Sequence, residues 1–208
     1  MSFPTFLGEV VLISLSGVMA PGPITAMTVS KGTQSPYAGV FVALGHGIVE
    51  VPLIILISYG FGEILKISFI KGIIGLVGGL FLLKMGWGLL RRGAKRTQIE
   101  YAKDNRSPLM AGMILSLANP YFLLWWVAIG SILIFRSLSF GILGFIAFII
   151  LHWSCDLFWC YFLSAISFKG DQFFGKKLQQ VLFAICGVFL LFFSAKFIFD
   201  AVKIFLSF

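Results

Sequence analysis

Charged residues are scarce in this sequence, and their scarcity excludes an ordinary soluble protein. Only 12% of the 208 residues are charged and 59% are hydrophobic, whereas soluble domains average about 25% and about 45–50%. A membrane-spanning helix needs about 20 apolar residues, so the chain has room for six spans joined by short loops but not for an appended enzyme domain. The functional residues are therefore expected to lie within the membrane.

Cysteines and catalytic motifs are also few. The three cysteines lie in apolar segments and form no CxxC pair, which argues against a zinc site or a disulfide framework. The sequence also lacks an HExxH motif and a phosphate-binding loop. We therefore predict no enzymatic activity and no cofactor, and we interpret the cysteines as small core residues.

The apolar runs predict an all-α polytopic membrane protein with six transmembrane helices, at residues 5–30, 38–60, 72–90, 109–135, 139–168 and 178–206. The connection 91–106 is the only strongly basic loop, so the positive-inside rule places it in the cytoplasm and both termini outside the cell. Ten basic residues then lie inside and four outside. This asymmetry explains the net charge of +8 better than nucleic-acid binding does.

Polar landmarks recur in the same order in the two halves of the chain. Each half has an odd number of spans, so a second copy would enter the membrane from the opposite face, as in inverted-repeat transporters. We therefore predict one transmembrane transporter domain, 1–208, built from repeat A (1–90), the loop 91–106 and repeat B (107–208). The matched landmarks are Pro21 with Pro120, His46 with His152, Glu50 with Asp156, and Lys84 with Lys196.

Prolines predict helix breaks in the first and fourth spans. Pro21-Gly22-Pro23 and Asn119-Pro120 lie within apolar runs, and proline removes a backbone donor and clashes with the preceding turn. Irregular backbone at membrane depth survives only where it is packed in protein or lines a wet cavity. A broken helix offers N–H groups to a carboxylate and carbonyl groups to an ammonium. An amino acid carries both of these groups.

Histidine and acid side chains are paired in the second and fifth spans. His46 and Glu50, like His152 and Asp156, are four residues apart and share a helix face. A charge at the bilayer centre costs at least about 2.5 kcal/mol, so such groups are expected to face the interior and to find partners. Histidine is also suited to proton exchange near neutral pH. Substrate or proton handling is the predicted role, and fixed structural pairing is the alternative.

Two lysines are the expected partners of the acids. We expect Glu50 to pair with Lys84 and Asp156 with Lys196. The predicted substrate-binding and proton-binding residues are Pro21, Gly22, Pro23, His46, Glu50, Lys84, Asn119, Pro120, His152, Asp156 and Lys196.

The sequence resembles the lysine exporter (LysE/RhtB) superfamily of amino-acid translocators. The resemblance covers nearly the whole chain. It implies a cytoplasmic-membrane exporter of amino acids or related small zwitterionic metabolites that is driven by the proton gradient. It is also compatible with a homo-oligomer. Its partners would be the lipid bilayer, the substrate and protons. The residues that carry the resemblance are Pro21, Gly22, Pro23, Gly39, Gly45, Asn119 and Pro120.

Two other functions compete with amino-acid export. A divalent metal cation exporter of the same superfamily is the stronger alternative, because two histidines and two carboxylates can ligate a metal. That alternative requires Lys84 and Lys196 to point away from the histidines, since ammonium groups repel a cation. A purely structural membrane protein would have little use for repeated helix breaks. Trp125 and Trp126 are interpreted as candidate membrane-interface anchors.

Overall fold

The computed structural model describes residues 2–61, 64, 67–91, 106–173 and 176–206, and within these ranges every regular element is helical. Two π-helical turns, Ile57–Phe61 and Trp126–Gly130, each follow directly on an α-helix. The helices are α1 (Phe3–Val18), α2 (Pro23–Gly32), α3 (Ala38–Leu56), α4 (Ser68–Arg91), α5 (Pro108–Leu117), α6 (Pro120–Trp125), α7 (Ser131–Leu138), α8 (Gly141–Phe173) and α9 (Lys176–Leu206).

Long apolar helices confirm the polytopic membrane architecture. Among the described residues, five segments are long and apolar enough to cross a membrane: Ala38–Gly60, Ser68–Gly88, Pro120–Leu138, Gly141–Lys169 and Ala184–Leu206. A sixth crossing is available if the bent pair α1 and α2 forms one span. The predicted all-α class is therefore confirmed. Residues 92–105, most of the predicted cytoplasmic loop, lie outside the described ranges, so its placement stays a prediction.

Both predicted helix breaks are present. The axes of α1 and α2 differ by 78°, and Gly22 between them is fully extended (φ −153°, ψ −168°). The second break falls at Asn119, which is also extended (φ −95°, ψ 103°). In each case the following proline, Pro23 or Pro120, begins the next helix. The missing N–H of this proline loses no hydrogen bond there, because the first N–H groups of a helix have no intrahelical acceptor.

Glycines let α3 and α5 pack backbone against backbone. A Cβ atom on Gly45 would collide with the carbonyl oxygen of Leu109, and one on Gly112 would collide with that of Val42. Small residues at membrane helix contacts permit such close approach. This contact holds His46 of α3 beside the C-terminal end of α5.

Helices α4 and α9 form the other main pair, and each comes from a different predicted repeat. Gly75 and Gly79 of α4 face α9, where Cβ atoms would lie 3.2 Å from the Phe197 carbonyl oxygen and 3.3 Å from the Ser194 carbonyl oxygen. The Ser194 hydroxyl also donates to the carbonyl of Gly79 (2.8 Å). This pair packs against α2 and α6, the helices that follow the two breaks.

Candidate functional site

The two histidine and acid pairs form one buried cluster between α3 and α8. The Nε2 atoms of His46 and His152 lie 3.1 Å and 3.2 Å from the same oxygen, Oε1 of Glu50. Asp156 carboxylate oxygens lie 3.7 Å from His46 Nε2 and 3.5 Å from His152 Nε2. All four residues are at most 6% exposed. The cluster therefore joins the two predicted repeats instead of giving each its own pair.

Two serines orient the histidine rings from the opposite half of the chain. Nδ1 of His46 lies 2.7 Å from Oγ of Ser116 on α5, and Nδ1 of His152 lies 2.7 Å from Oγ of Ser14 on α1. Both serines are fully buried. Each histidine is thus held by the broken span of the other repeat, so movement of one half against the other would change both contacts.

The contacts of Ser116 fix which nitrogen of His46 donates. The Ser116 hydroxyl lies 2.7 Å from the Gly112 carbonyl oxygen and 2.7 Å from His46 Nδ1. A hydroxyl has one hydrogen and a carbonyl only accepts, so both contacts are hydrogen bonds only if Nδ1–H of His46 donates to Ser116. A neutral imidazole then has a bare lone pair at Nε2, which faces the Glu50 carboxylate. That contact needs one more proton, on His46 or on Glu50.

A cavity of about 90 Å³ adjoins the cluster. The first break lines it with Pro21, Gly22 and Pro23, and the second break lines it with Asn119. Other walls come from α1, α2, α3, α4, α6, α8 and α9. The remaining lining residues are Gly17, Val18, Ala20, Ile24, Thr25, His46, Glu50, Leu82, Tyr121, Phe122, Trp125, Trp126, His152, Asp156, Trp159, Cys160, Leu163, Phe189, Leu190 and Phe193.

Buried polar atoms without hydrogen bonds lie on residues that line this cavity. Within the described ranges they include Oε2 of Glu50, Oδ2 of Asp156 and Nε1 of Trp159. A buried polar group without a hydrogen bond costs about 1–3 kcal/mol. The site thus has two unfilled acceptors and one unfilled donor, which a small molecule with an ammonium and a carboxylate can satisfy.

The two breaks differ in how their helix starts are capped. At α6, the Asn119 side chain accepts from the Tyr121 amide (3.1 Å). At α2, the N-cap residue is Gly22, and no side chain caps the helix. The first amides of a helix, here including those of Ile24 and Thr25, have no intrahelical acceptor. Both residues line the cavity. The start of α2 is therefore the better place for a carboxylate.

Eight of the predicted site residues line the cavity, and three do not. Pro120 instead packs against Gly78 of α4. Lys84 and Lys196 are exposed on α4 and α9, and the described residues show no ion pair between either lysine and the acids. The predicted Glu50–Lys84 and Asp156–Lys196 pairs are wrong: both lysines are exposed, and the two carboxylates contact the histidines.

The sequence interpretation missed several contacts of the cluster. It assigned Ser14 and Ser116 no role. The signal that could have identified them is a hydroxyl group within an apolar helix. The candidate interface anchors Trp125 and Trp126 contact the histidine cluster. Trp126 is 1% exposed, and both rings contact the imidazole of His152, with centroid distances of 5.6 Å for Trp125 and 4.9 Å for Trp126.

Comparison with known proteins agrees with the geometry. A family model for LysE type translocators matches residues 15–201. The protein YcgF of Bacillus subtilis (strain 168), to which amino acid efflux is attributed, is 26% identical over 210 residues, or 95% of this chain and 97% of that protein. The threonine efflux protein of Escherichia coli (strain K12) is 26% identical over 141 residues, or 60% of this chain and 65% of that protein. No solved structure matches this chain significantly.

Proposed function

The chain belongs to the LysE type translocator family, and from this membership we propose that it exports amino acids across the cytoplasmic membrane in exchange for protons. One observation carries the proposal. Glu50 and Asp156, each with one carboxylate oxygen that has no hydrogen bond, line the same cavity as the uncapped start of α2. These groups suit the two charged ends of a zwitterion.

In the proposed complex the substrate ammonium donates to Glu50 and Asp156. The substrate carboxylate accepts from the first amides of α2 and from Nε1–H of Trp159. The macrodipole adds to these bonds, because the start of a helix attracts negative charge. Pro21, Gly22, Pro23 and Asn119 act in this proposal by exposing backbone groups at the cavity.

Proton coupling follows from competition at Glu50. The contact between His46 Nε2 and Glu50 Oε1, at 3.1 Å, needs a proton that the serine-bonded Nδ1 does not supply. An ammonium bound to Glu50 supplies the missing donor, so that proton can leave. Protons entering from outside would then displace the substrate, and the next substrate would displace protons on the inside. We also propose the orientation with loop 91–106 in the cytoplasm and both termini outside.

Efflux from reconstituted vesicles tests the proposal. Purified protein is placed in vesicles loaded with a labelled panel of twenty amino acids, with equal and with more acidic external pH. We expect efflux of at least one amino acid above protein-free vesicles, accelerated severalfold by external acid. A protonophore serves as the control and should remove the acceleration. An efflux rate that does not depend on the pH gradient contradicts proton coupling. The absence of efflux for every amino acid contradicts the proposed amino-acid export.

Divalent cation export is a second candidate, favoured by one specific observation. His46, Glu50 and Asp156 each offer a ligand atom, and these atoms lie within 4.8 Å of one another. Imidazole and carboxylate ligands suit zinc, manganese and related ions. The two lysines that would repel a cation do not line the cavity. With both histidines neutral and both acids ionised, one divalent cation would balance the charge of the cluster.

The same vesicles separate the two candidates. Loading them with a fluorescent indicator and adding Zn²⁺ or Mn²⁺ outside measures metal movement directly. If amino acids are the substrate, metal flux should equal that of protein-free vesicles, and Zn²⁺ should at most inhibit amino-acid efflux. Metal flux that exceeds the background tenfold, with no amino-acid efflux, would favour the second candidate.

A further inference from the structure

We infer that the substrate is an amino acid with an uncharged, apolar side chain of leucine or phenylalanine size. This inference rests on the proposed function and concerns the part of the cavity that the ionisable cluster does not form. Among the described lining residues, helices α4 and α9 contribute four side chains to that part, all of them apolar: Leu82, Phe189, Leu190 and Phe193.

The apolar wall is continuous and well packed. Leu82 and Leu190 belong to one buried core cluster and are 1% and 3% exposed. The ring of Phe193 contacts those of Tyr121 and Phe189, with centroid distances of 5.0 Å and 4.7 Å. Each methylene that moves from water onto such a surface favours binding by about fourfold. A larger apolar side chain therefore binds more tightly here than a small one.

A cationic side chain fits this wall poorly. Among the described lining residues, the acidic ones are Glu50 and Asp156, and both belong to the cluster. If both acids hold the α-ammonium, a second ammonium at the end of a lysine side chain would lie among Leu82 and Phe193 without an anion. Burying an unpaired charge is strongly unfavourable.

A hydroxylated side chain gains less from the apolar wall, and few of the described residues that line the cavity carry a hydroxyl group. The hydroxyl of Thr25 already donates to the carbonyl of Ala20 (3.3 Å). Tyr121, whose ring packs on Phe193, is the other hydroxyl-bearing residue that lines the cavity. Threonine also brings less apolar area to the wall than leucine does. We therefore expect this chain to prefer a substrate other than threonine, the amino acid in the name of the threonine efflux protein.

Competition among four amino acids in reconstituted vesicles tests the inference. Vesicles are loaded with equal, subsaturating concentrations of labelled leucine, phenylalanine, threonine and lysine. We expect efflux of leucine or phenylalanine at least tenfold faster than that of threonine and lysine. The variant Phe193→Ala should slow phenylalanine efflux about tenfold through a higher half-saturation concentration, whereas Phe193→Leu should slow it less.

The neighbouring ring supplies a matched control. Phe192 is 63% exposed and does not line the cavity, so Phe192→Ala should keep wild-type efflux. Equal losses in Phe192→Ala and Phe193→Ala, with both variants eluting as folded protein, would overturn the inference. Efflux of lysine or threonine as fast as that of leucine would overturn it and leave the proposed function standing. If the wild-type protein moves no amino acid, the proposed function fails as well.

Discussion

Vesicles containing the Glu50→Gln variant are expected to show at least about a 100-fold loss of amino-acid efflux. Oε1 of Glu50 contacts both histidines, at 3.1 Å and 3.2 Å, and its Oε2 has no hydrogen bond. Glutamine keeps an oxygen that can accept a hydrogen bond but removes the negative charge next to both histidines. In the proposed complex that charge also attracts the substrate ammonium, and a charge-assisted hydrogen bond is about twice as strong as a neutral one. Initial efflux rates, measured with and without an external acid gradient, check the expectation.

The same chemical change at a partly exposed acid is the control. Glu9 on α1 pairs with Nη1 of Arg136 at 2.6 Å, with side chains 32% and 48% exposed. Such pairs contribute about 0–1 kcal/mol, so Glu9→Gln should keep efflux within about twofold. Glu50→Asp, which retains the charge on a shorter side chain, should retain part of the activity. Normal efflux in a correctly folded Glu50→Gln protein would remove Glu50 from the mechanism.

The helices and their breaks could be predicted because they depend on local properties of the chain. Apolar runs of sufficient length predict spans, and the prolines at Pro23 and Pro120 predict where a helix must stop and restart. The i, i+4 spacing of His46 and Glu50 likewise predicts a shared face, and the structure has this contact.

The contacts that join the two halves of the cluster could not be predicted, because they depend on how distant helices meet. Charge alone made Lys84 the natural partner of Glu50, yet an exposed lysine can keep its ammonium near water while its stem lies along an apolar surface. The actual second partner, His152, lies 102 positions away in the chain. Ser14 and Ser116 depend on the same cross-repeat packing. Which residues share the site is therefore a property of the tertiary fold.

The contact between α3 and α5 determines how His46 is held within the cluster. Helix α3 carries His46 and Glu50, whereas Ser116 stands on α5, so the separation of these helices sets the bond between His46 and Ser116. A Cβ on Gly45 would meet the Leu109 carbonyl oxygen and would also lie 3.1 Å from the Met113 amide nitrogen. These are backbone atoms, which cannot swing aside as a flexible side chain can.

Replacing Gly45 by alanine is therefore expected to lower the free energy of unfolding by about 3 kcal/mol or more, at the upper end of overpacking effects. The folded fraction should also lose efflux about tenfold, because separating α3 from α5 lengthens the bond between His46 and Ser116. Gly8→Ala is the matched control: a Cβ there meets nothing within 4 Å, and alanine favours a helix by up to about 1 kcal/mol. Thermal unfolding midpoints in detergent compare the two variants. Equal midpoints would show that α3 and α5 are not packed closely enough for their backbones to hold the cluster together.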